Sequence, residues 1–388
     1  MNRLYNHLFF IMMSFYSVAH AQEEKVPVIQ WKIAGRLPPS EGQRTPLGFA
    51  GPVAGISNDV LIFAGGANFP NGMPWQGGKK RYYDDVYVYK CKSDKLVRQR
   101  VTGKLAAPVA YAAVCSTPAG VLYAGGENDQ GISNKVVLLQ WNPSFKKIIA
   151  ENLPNLPVAL TNAAATVCAN TVYIGGGETN GGVSDRFFCL HLDSAGAGWT
   201  ELASVPLPVS HTVMVAQPNG KSGCIYVLGG RRKNENAISN LYASVYAFDI
   251  AKNEWSEKKS LPYPLTAGTG IALGSSNIYL FGGDKGKDFH QSELMAASIK
   301  TAGSEAERQQ LMRKKNQLQA AHPGFSKELL QYNTLSGNCA VVGEIPYPVQ
   351  VTTHAIQWHD CIFIPGGEIR AGVRTPLIVA AEINKETK

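Results

Sequence analysis

The sequence predicts an all-β fold, namely a six-bladed β-propeller with a helical insertion in its fifth repeat. An apolar strand that ends in Gly-Gly occurs six times, and the second glycines are separated by 60, 51, 53, 53 and 84 residues. The 39 glycines and 22 prolines are spread over all 388 residues, which indicates many short strands joined by tight turns. A repetitive fold also explains how one domain can contain a chain of this length.

The strands that end in Gly-Gly define the repeat. Leu61–Gly66 and Ile225–Gly230 are two examples, each rich in residues that favour strands. A Gly-Gly signature with a period of about 50 residues is typical of Kelch repeats, in which each repeat forms a four-stranded blade. The cluster Gly175–Gly177 also resembles a dinucleotide-binding loop, but no helical pattern follows it. We therefore interpret the chain as a Kelch-type propeller and reject a Rossmann fold.

The last repeat is incomplete at the C-terminal end of the chain. A fourth strand with a tryptophan is expected in each repeat, at Trp141, Trp199 and Trp255 in the second to fourth repeats. The last repeat has only three predicted strands. Residues 28–38 contain a tryptophan followed by Leu-Pro, as a fourth strand does, and precede the first complete blade. We predict that residues 28–38 form the outer strand of the last blade, which would close the ring and cover an open sheet edge.

The 84-residue interval contains an insertion, residues 285–328. Ala, Glu, Gln, Lys, Leu and Met dominate this segment and β-branched residues are scarce, so it is predicted to be helical. Because the insertion follows the fifth Gly-Gly, it could cover the mouth of the channel as a lid. A solvated surface decoration is the other interpretation, and the sequence leaves both open.

The N-terminal 21 residues have the pattern of a secretory signal peptide. A cationic start at Arg3 is followed by the apolar stretch 8–18 and by Ala19-His20-Ala21, a small-x-small cleavage site. We predict cleavage near Ala21, a mature propeller of residues 22–388, and a periplasmic or secreted location. The apolar stretch is short for a bilayer span, so no membrane anchor is expected, although an anchor remains the alternative.

Charge and cysteine usage narrow the classes of partner. The formal net charge is +8, yet no run of Lys and Arg exceeds three residues. Export and this pattern favour an anionic small molecule over nucleic acid as the partner. The seven cysteines contain no CxxC pair, and several lie in apolar strands, so buried thiols and a disulfide both remain open.

The loops at one end of the propeller hold the candidate site. Loops that join second to third strands share this end with the links between blades, including those with His211 and His354. Residues just past the Gly-Gly pairs should converge there, together with basic residues from the first and last loops. Basic groups outnumber acidic ones in this set, which favours an anionic ligand. The predicted substrate-binding residues are Asn68, Lys80, Arg81, Glu127 and Arg231.

The run Pro365–Thr375 carries the most specific signal. It resembles the N-acetylneuraminate epimerase (sialic acid mutarotase) family of periplasmic Kelch propellers, whose motif is Gly-Glu followed six residues later by Arg-Thr. Further matches to this family are Gly55–Ala67, the Lys79-Lys80 loop and Gly125-Gly-Glu127. In better-known members the blade with the Gly-Glu motif comes before the Gly-Ile-Ser-Asn-Asp blade. The resemblance therefore implies a cyclically permuted branch of the family.

This resemblance implies roles for two residues. Glu368 would be the proton acceptor and Arg374 its essential partner in interconverting the anomers of N-acetylneuraminate (sialic acid), an anionic sugar. The chemistry agrees, because ring opening and closure need a positioned acid and base. Arginine can also hold a substrate carboxylate through two parallel hydrogen bonds. The reaction implies no cofactor and no metal.

Two other classes of function are possible on a propeller. A non-catalytic glycan- or protein-binding module would present aromatic platforms at the channel mouth. A copper radical oxidase would need convergent Tyr, His and Cys ligands, and no such set is evident around His354 and His359. The sequence leaves the oligomeric state open.

Overall fold

The computed structural model describes residues 28–384, except 41, 93–94, 101–102 and 236. The predicted signal peptide lies outside the described residues. Six four-stranded antiparallel sheets form the blades of a propeller, and the first blade carries one additional short strand. Five two-stranded rim hairpins project from the blades, and two helices take the place of a rim hairpin in the fifth blade.

The elements are numbered in chain order. The N-terminal strand is β1 (Val28–Arg36). The first blade and its hairpin contain β2 (Val53–Ser57), β3 (Val60–Ala64), β4 (Ala67–Asn68), β5 (Arg81–Tyr82), β6 (Asp85–Lys92), β7 (Lys95–Arg98) and β8 (Gly103–Lys104). The second contains β9 (Ala113–Thr117), β10 (Gly120–Ala124), β11 (Glu127–Asn128), β12 (Gly131–Ile132), β13 (Val136–Asn142) and β14 (Lys147–Leu153). The third contains β15 (Ala164–Cys168), β16 (Thr171–Gly175), β17 (Glu178–Thr179), β18 (Gly182–Val183), β19 (Phe187–His191) and β20 (Thr200–Glu201).

The remaining blades follow the same plan. The fourth contains β21 (Val213–Pro218), β22 (Gly223–Leu228), β23 (Arg231–Arg232), β24 (Asn240–Leu241), β25 (Val245–Asp249) and β26 (Glu254–Lys258). The fifth contains β27 (Thr269–Leu273), β28 (Asn277–Phe281), α1 (Lys287–Thr301), α2 (Glu305–Ala320), β29 (Glu328–Asn333) and β30 (Cys339–Glu344). The sixth contains β31 (Ile356–Trp358), β32 (Cys361–Pro365), β33 (Glu368–Arg370), β34 (Val373–Arg374) and β35 (Leu377–Asn384).

The sixth blade takes its outer strand from the N-terminal side of the chain. β1 pairs antiparallel with β35, from Val28 opposite Asn384 to Arg36 opposite Leu377, and the sheet order is β1-β35-β32-β31. The Trp31 ring makes an edge contact with the Phe281 ring of the fifth blade, with 6.0 Å between the ring centres. The same strand therefore completes one blade and packs against its neighbour.

The tryptophan pattern predicted for fourth strands is wrong for Trp141. Trp255 lies in the fourth strand β26 and Trp199 directly precedes β20, but Trp141 lies in β13, a third strand. Trp141 is buried in the cluster between the first and second blades, and its backbone N–H donates to the Ser57 hydroxyl at 3.0 Å. The position of Trp141 is therefore explained by its packing against the first blade and not by a place in a fourth strand.

The hydrophobic core is divided among the junctions between blades. Each of six buried clusters combines residues of two consecutive blades, including one that joins the sixth blade to the first. The largest fully buried side chains are aromatic, among them Phe63, Phe187 and Phe363. Each blade is therefore stabilised by both of its neighbours, as in other repeat architectures.

The Gly-Gly signature allows the link to the next blade to approach closely. In the second blade Gly125 and Gly126 have φ angles of 69° and 88°, in the left-handed region that glycine tolerates. A Cβ atom on Gly125 would lie 2.2 Å from the Leu160 carbonyl oxygen. The Gly126 N–H donates to that same oxygen at 2.8 Å. A side chain on Gly125 would therefore push away the link to the third blade, and one on Gly126 would collide with Val109 in the link from the first blade.

A closed ring of backbone hydrogen bonds surrounds the channel axis. Six residues, one per blade, form this ring. The N–H of each donates to the carbonyl of the equivalent residue in the preceding blade, at 2.8 to 3.1 Å. All six have φ angles between 51° and 62°. We call this set the axial ring, and its members are Gly51, Tyr111, Asn162, His211, Ala267 and Thr352.

Deletion of residues 28–36 should destabilise the whole ring. The deletion exposes the edge of β35 and removes the packing of Trp31 on the fifth blade, so we expect a lower melting temperature and aggregation. Thermal melting and size-exclusion chromatography measure both effects. Ile33→Ala is the control, because Ile33 is 44% exposed. A monomeric deletion protein with the wild-type melting temperature would contradict the proposed closure.

Candidate active site

The repeat brings one residue from each blade to the mouth, which we define as the channel end at the axial ring. The residue after each Gly-Gly pair forms an isolated bridge with the residue that precedes the ring residue of the same blade. Five of these six residues are charged, so the repeat itself concentrates charge at the mouth. The six residues are Ala67, Glu127, Glu178, Arg231, Asp284 and Glu368.

Glu368 and Arg374 lie opposite each other in the hairpin of β33 and β34. The Glu368 Oε2 atom is 3.2 Å from Arg374 Nη2, and Glu368 Oε1 accepts a hydrogen bond of 2.8 Å from the Gly372 N–H. The exposed fractions of the two side chains are 18% for Glu368 and 5% for Arg374. The hairpin therefore brings the two residues of the Gly-Glu and Arg-Thr motif into a largely buried ion pair.

The guanidinium of Arg374 retains unfilled hydrogen-bonding capacity. Its Cζ atom lies 4.7 Å from the centre of the Phe69 ring, and Nη2 donates to the Tyr111 hydroxyl oxygen at 3.4 Å. Its Nε and Nη1 atoms are buried and have no hydrogen-bond partner among the described residues. Burial opposes the charge, but Glu368 and Tyr111 together outweigh it and the pKa of Arg374 is raised. A permanent cation with unfilled donors suits an anionic group.

Glu127 organises a second polar group at the mouth. Its Oε1 atom lies 3.1 Å from Lys80 Nζ and accepts a hydrogen bond of 2.7 Å from the Tyr82 hydroxyl, while Oε2 accepts one of 3.3 Å from Thr161. Lys80 Nζ also lies 4.8 Å from the centre of the Tyr111 ring. Burial and the hydrogen bond to Glu127 raise the pKa of Tyr82 to about 12, so this phenol stays protonated at neutral pH.

Arg231, Glu178 and His211 form a third charged group. Arg231 Nη2 is 3.6 Å from Glu178 Oε1 and 3.5 Å from His211 Nε2. Burial, together with the charges of Arg231 and Lys80, holds the pKa of His211 well below its usual value. His211 is therefore neutral at physiological pH, and Arg231 is the cation of this group.

Two predicted binding residues lie away from the mouth. Asn68 is 1% exposed, its Nδ2 donates to the Gly48 carbonyl at 2.9 Å, and its Oδ1 accepts a bond of 2.8 Å from the Tyr83 hydroxyl. Arg81 is exposed and lies over the Tyr83 ring at 5.1 Å. Side chains alternate along a strand, so Lys80 and Tyr82 point to the face opposite Arg81. Asn68 holds the loop in place, and Arg81 covers the outside of it.

The expected excess of basic groups at the mouth stays a prediction, since three of its cations are paired with carboxylates. Three cations, Lys80, Arg231 and Arg374, each pair with one of the carboxylates that follow a Gly-Gly. The carboxylate of Asp284 accepts a bond of 2.7 Å from the Gly286 N–H at the start of α1. Among the described inner residues, acids and bases are therefore nearly balanced. Recognition of an anion would depend on individual unfilled donors and not on a general positive field.

The helical insertion of the fifth blade is attached to the fourth and first blades. The Glu293 carboxylate of α1 accepts bonds of 2.7 and 2.9 Å from the hydroxyl and N–H of Ser239 in the fourth blade. Asn316 of α2 donates to the Trp75 carbonyl in the first blade at 3.2 Å. Phe289 of α1 lies 5.0 Å from the Arg231 guanidinium. The insertion therefore contributes to the wall of the mouth, and its action as a lid stays a prediction.

Aromatic residues at the mouth are the main features that sequence reasoning missed. Phe69, Tyr111 and Phe289 each lie within 5.0 Å of a lysine or arginine charge. For Tyr111 a signal exists, since it occupies the same position in the second repeat as His211 in the fourth. Phe69 and Phe289 occur in irregular loop sequence or in the insertion, where no repeat position marks them.

The axial channel opens at the mouth and shares the ring residues Tyr111 and His211 with it. Its cavity of about 380 Å³ is lined by small side chains of the inner strands and by ring residues, but not by Glu368 or Arg374. His354 lines this cavity. Within the described residues, neither helix has the length and apolar composition of a membrane span, and no three His, Cys, Asp or Glu side chains are grouped as metal ligands.

Comparison with known proteins points to one family. A family model described as N-acetylneuraminate epimerase matches residues 153–388. The N-acetylneuraminate epimerase of Haemophilus influenzae (strain 86-028NP) is 28% identical over 242 residues, which cover 58% of each protein. That of Pasteurella multocida (strain Pm70) is 25% identical over 239 residues, covering 61% of this chain and 60% of the relative. The chain thus spans less than two thirds of the length of these relatives.

The fold has a counterpart among solved structures. The structure titled "Structure of YjhT" aligns with a TM-score of 0.60 and 14% identity, covering 88% of this chain and 97% of that chain. At this identity the similarity shows a shared fold. The structural match thus extends over far more of the chain than the sequence matches do.

Acid should destabilise the fold through His354. Burial lowers the pKa of His354 to about 4, although a hydrogen bond to the Pro52 backbone opposes the shift. The unfolded chain binds this proton near pH 6.5. The free energy of unfolding should therefore fall between pH 6.5 and about 4, by at most about 1.4 kcal/mol per pH unit from this group.

The variant His354→Gln isolates this contribution, because glutamine keeps an N–H donor and does not titrate. Denaturant unfolding at several pH values should show a shallower loss for His354→Gln than for wild type. His191→Gln is the matched control, since His191 is exposed, and it should follow the wild-type curve. Parallel curves for His354→Gln and wild type would exclude His354 as the cause.

Proposed function

The chain belongs to the N-acetylneuraminate epimerase family, and on that premise we propose that it interconverts the α and β anomers of N-acetylneuraminate. The observation that carries the proposal is the pair of Glu368 and Arg374. Arg374 is 5% exposed and contacts the carboxylate, yet its Nε and Nη1 donors have no partner among the described residues. A bound substrate carboxylate would accept a hydrogen bond from one of them.

The proposed chemistry is acid–base catalysis of ring opening and closure. The anomeric hydroxyl loses its proton, the ring oxygen gains one, and the open-chain ketone closes again from the other face. Glu368 accepts the first proton, since both of its oxygens are held in place by Gly372 and Arg374. Arg374 positions the substrate by binding the substrate's carboxylate. Proton transfer to a positioned base such as Glu368 contributes about 10²–10⁴-fold to the rate.

We further propose that the chain is a cyclic permutation of the better-known members. The blade with Glu368 and Arg374 is last in this chain, and its outer strand β1 comes from the N-terminal side. A changed blade order would restrict a linear sequence comparison to one contiguous part, and the family model matches residues 153–388 only.

A glycan-binding module without catalysis is the second candidate. The aromatic rings of Phe69, Tyr111 and Phe289 lie at the mouth, where such a module would present sugar platforms. Each ring, however, already lies beside the charge of a lysine or arginine. Stacking on a sugar would compete with these contacts, so the geometry favours the enzyme.

The variants Glu368→Gln and Arg374→Lys test the assignment. Glu368→Gln keeps the shape but cannot accept the proton, so anomer exchange should fall by about 10²–10⁴-fold while binding persists. Arg374→Lys loses the planar guanidinium, so both binding and rate should fall. NMR of N-acetylneuraminate enriched in the α anomer measures exchange.

Glu201→Gln and Arg186→Lys are matched controls. This Glu–Arg pair is joined by two hydrogen bonds of 2.8 Å on the exposed part of the third blade. Both controls should retain the wild-type rate. Wild-type exchange by Glu368→Gln would refute the role of Glu368. A wild-type protein that binds the sugar without accelerating exchange would instead be a binding module.

We also propose export of the protein, with cleavage near Ala21. The proposal rests on the pattern of residues 1–21. N-terminal sequencing of the protein from a periplasmic or culture fraction should find a start at or near Gln22. Recovery of a chain that begins at Met1 in the membrane fraction would indicate an anchor instead.

A further inference from the structure

Tyr111 occupies an unusual place in the fold. As a member of the axial ring it has a φ angle of 58°, a conformation that costs energy for a residue with a bulky side chain. The preceding ring position is Gly51, where a Cβ atom would lie 2.5 Å from Tyr111 Cδ1 and 2.6 Å from its backbone nitrogen. The absence of a side chain at Gly51 leaves the space that the Tyr111 ring needs.

The Tyr111 phenol lies between two cations. Arg374 Nη2 is 3.4 Å from its hydroxyl oxygen, and Lys80 Nζ is 4.8 Å from its ring centre. Each cation is also paired with a carboxylate, Arg374 with Glu368 and Lys80 with Glu127. In its contact with Arg374 the hydroxyl is the acceptor. Its own hydrogen has no acceptor within the described part of the chain, so it remains available to a substrate.

We propose that the Tyr111 hydroxyl donates the proton that the sugar ring oxygen takes up during ring opening. This role rests on the proposed mutarotase function. Glu368 and Tyr111 both contact Arg374 Nη2, so base, cation and acid lie side by side. A substrate carboxylate on the open donors of Arg374 would bring the sugar ring within reach of both groups.

The proton transfers balance. In ring opening, Glu368 takes the anomeric hydroxyl proton, and the electron pair of that O–H bond forms the carbonyl. The bond from the anomeric carbon to the ring oxygen breaks, and that oxygen takes the Tyr111 proton. Closure on the other carbonyl face reverses both transfers: the phenolate regains a proton from the chain hydroxyl and Glu368 returns its proton to the carbonyl oxygen. No oxidant or cofactor is required.

The two cations explain how a phenolate could form transiently. Burial opposes the charge of Lys80, but Tyr111 and Glu127 outweigh it and the pKa of Lys80 is raised. Tyr111 is also among the groups that raise the pKa of Arg374, after Glu368. With Arg374 Nη2 at 3.4 Å from the hydroxyl oxygen and Lys80 Nζ at 4.8 Å from the ring centre, both cations would stabilise negative charge that develops on this oxygen.

Other polar groups at the mouth are less suited to this role. The Tyr82 hydroxyl already donates a hydrogen bond of 2.7 Å to Glu127 Oε1. His211 has Arg231 3.5 Å from Nε2 and the Ser210 hydroxyl 3.1 Å from Nδ1, so both ring nitrogens have neighbours. Of these three side chains, Tyr111 is the one whose proton is uncommitted among the described residues.

Tyr111→Phe tests the proposal, because it keeps the ring and its contact with Lys80 and removes only the hydroxyl. We expect kcat for anomer exchange to fall by about 10²–10⁴-fold, with KM nearly unchanged. Tyr246→Phe is the matched control, since it removes the same group from β25 in the fourth blade, and it should exchange anomers at the wild-type rate.

The outcomes separate this inference from the proposed function. If wild type accelerates exchange and Glu368→Gln abolishes it, a Tyr111→Phe protein with wild-type kcat overturns only the role of Tyr111. A raised KM with unchanged kcat also overturns it, because it would show that Tyr111 merely positions Arg374. A wild type without activity removes both proposals.

A second variant protects the test against misfolding of Tyr111→Phe. Replacing Tyr111 with 3-fluorotyrosine keeps the hydroxyl and nearly the same shape but makes the phenol more acidic. A proton donor must be protonated to act, so the high-pH limb of the kcat profile should move to lower pH. The charged groups that face the phenol, Arg374 and Lys80, are unchanged. An unshifted profile would exclude Tyr111 as the donor.

Discussion

Six backbone hydrogen bonds around the channel axis fix the positions of all the blades. Each bond places its residue in the left-handed region, which costs a non-glycine residue about 1 kcal/mol, and five of the six residues are not glycine. Buried clusters between consecutive blades offset this cost, since every blade packs against two others. The ring persists because the surrounding structure leaves its residues no alternative conformation.

The mouth follows from this ring. Because the backbone repeats, the blades can carry different side chains at equivalent positions without changing the scaffold. Glu368 and Arg374 come from the sixth blade, Phe69 and Lys80 from the first, and Tyr111 from the second. The site is thus assembled from three blades that are consecutive in space. Neither the hairpin of the sixth blade nor the link to the second could form it alone.

The sequence predicts the blades well because Gly-Gly has a direct steric cause, namely the close approach of the next link. It predicts Glu368 and Arg374 only through a motif resemblance, since spacing alone does not reveal which loop acid matters. The sequence does not predict where the side chains of Asn68 and Arg81 point, because their directions depend on strand alternation within a two-residue hairpin. Tyr111 is predictable in principle, since Gly51 and Asn162 at the same repeat position hint at a left-handed backbone.

The pairing of β1 with β35 also determines how the propeller responds to mechanical load. Val28 lies directly opposite Asn384, so both ends of the described chain meet at one end of the same ladder. A force that draws these two residues apart acts across the hydrogen bonds and breaks them one pair at a time, as a zipper opens. A load applied along the strands would have to break the whole ladder at once. The strand β1, whose pairing closes the ring, is therefore also the strand that separates most easily when the two ends are pulled apart.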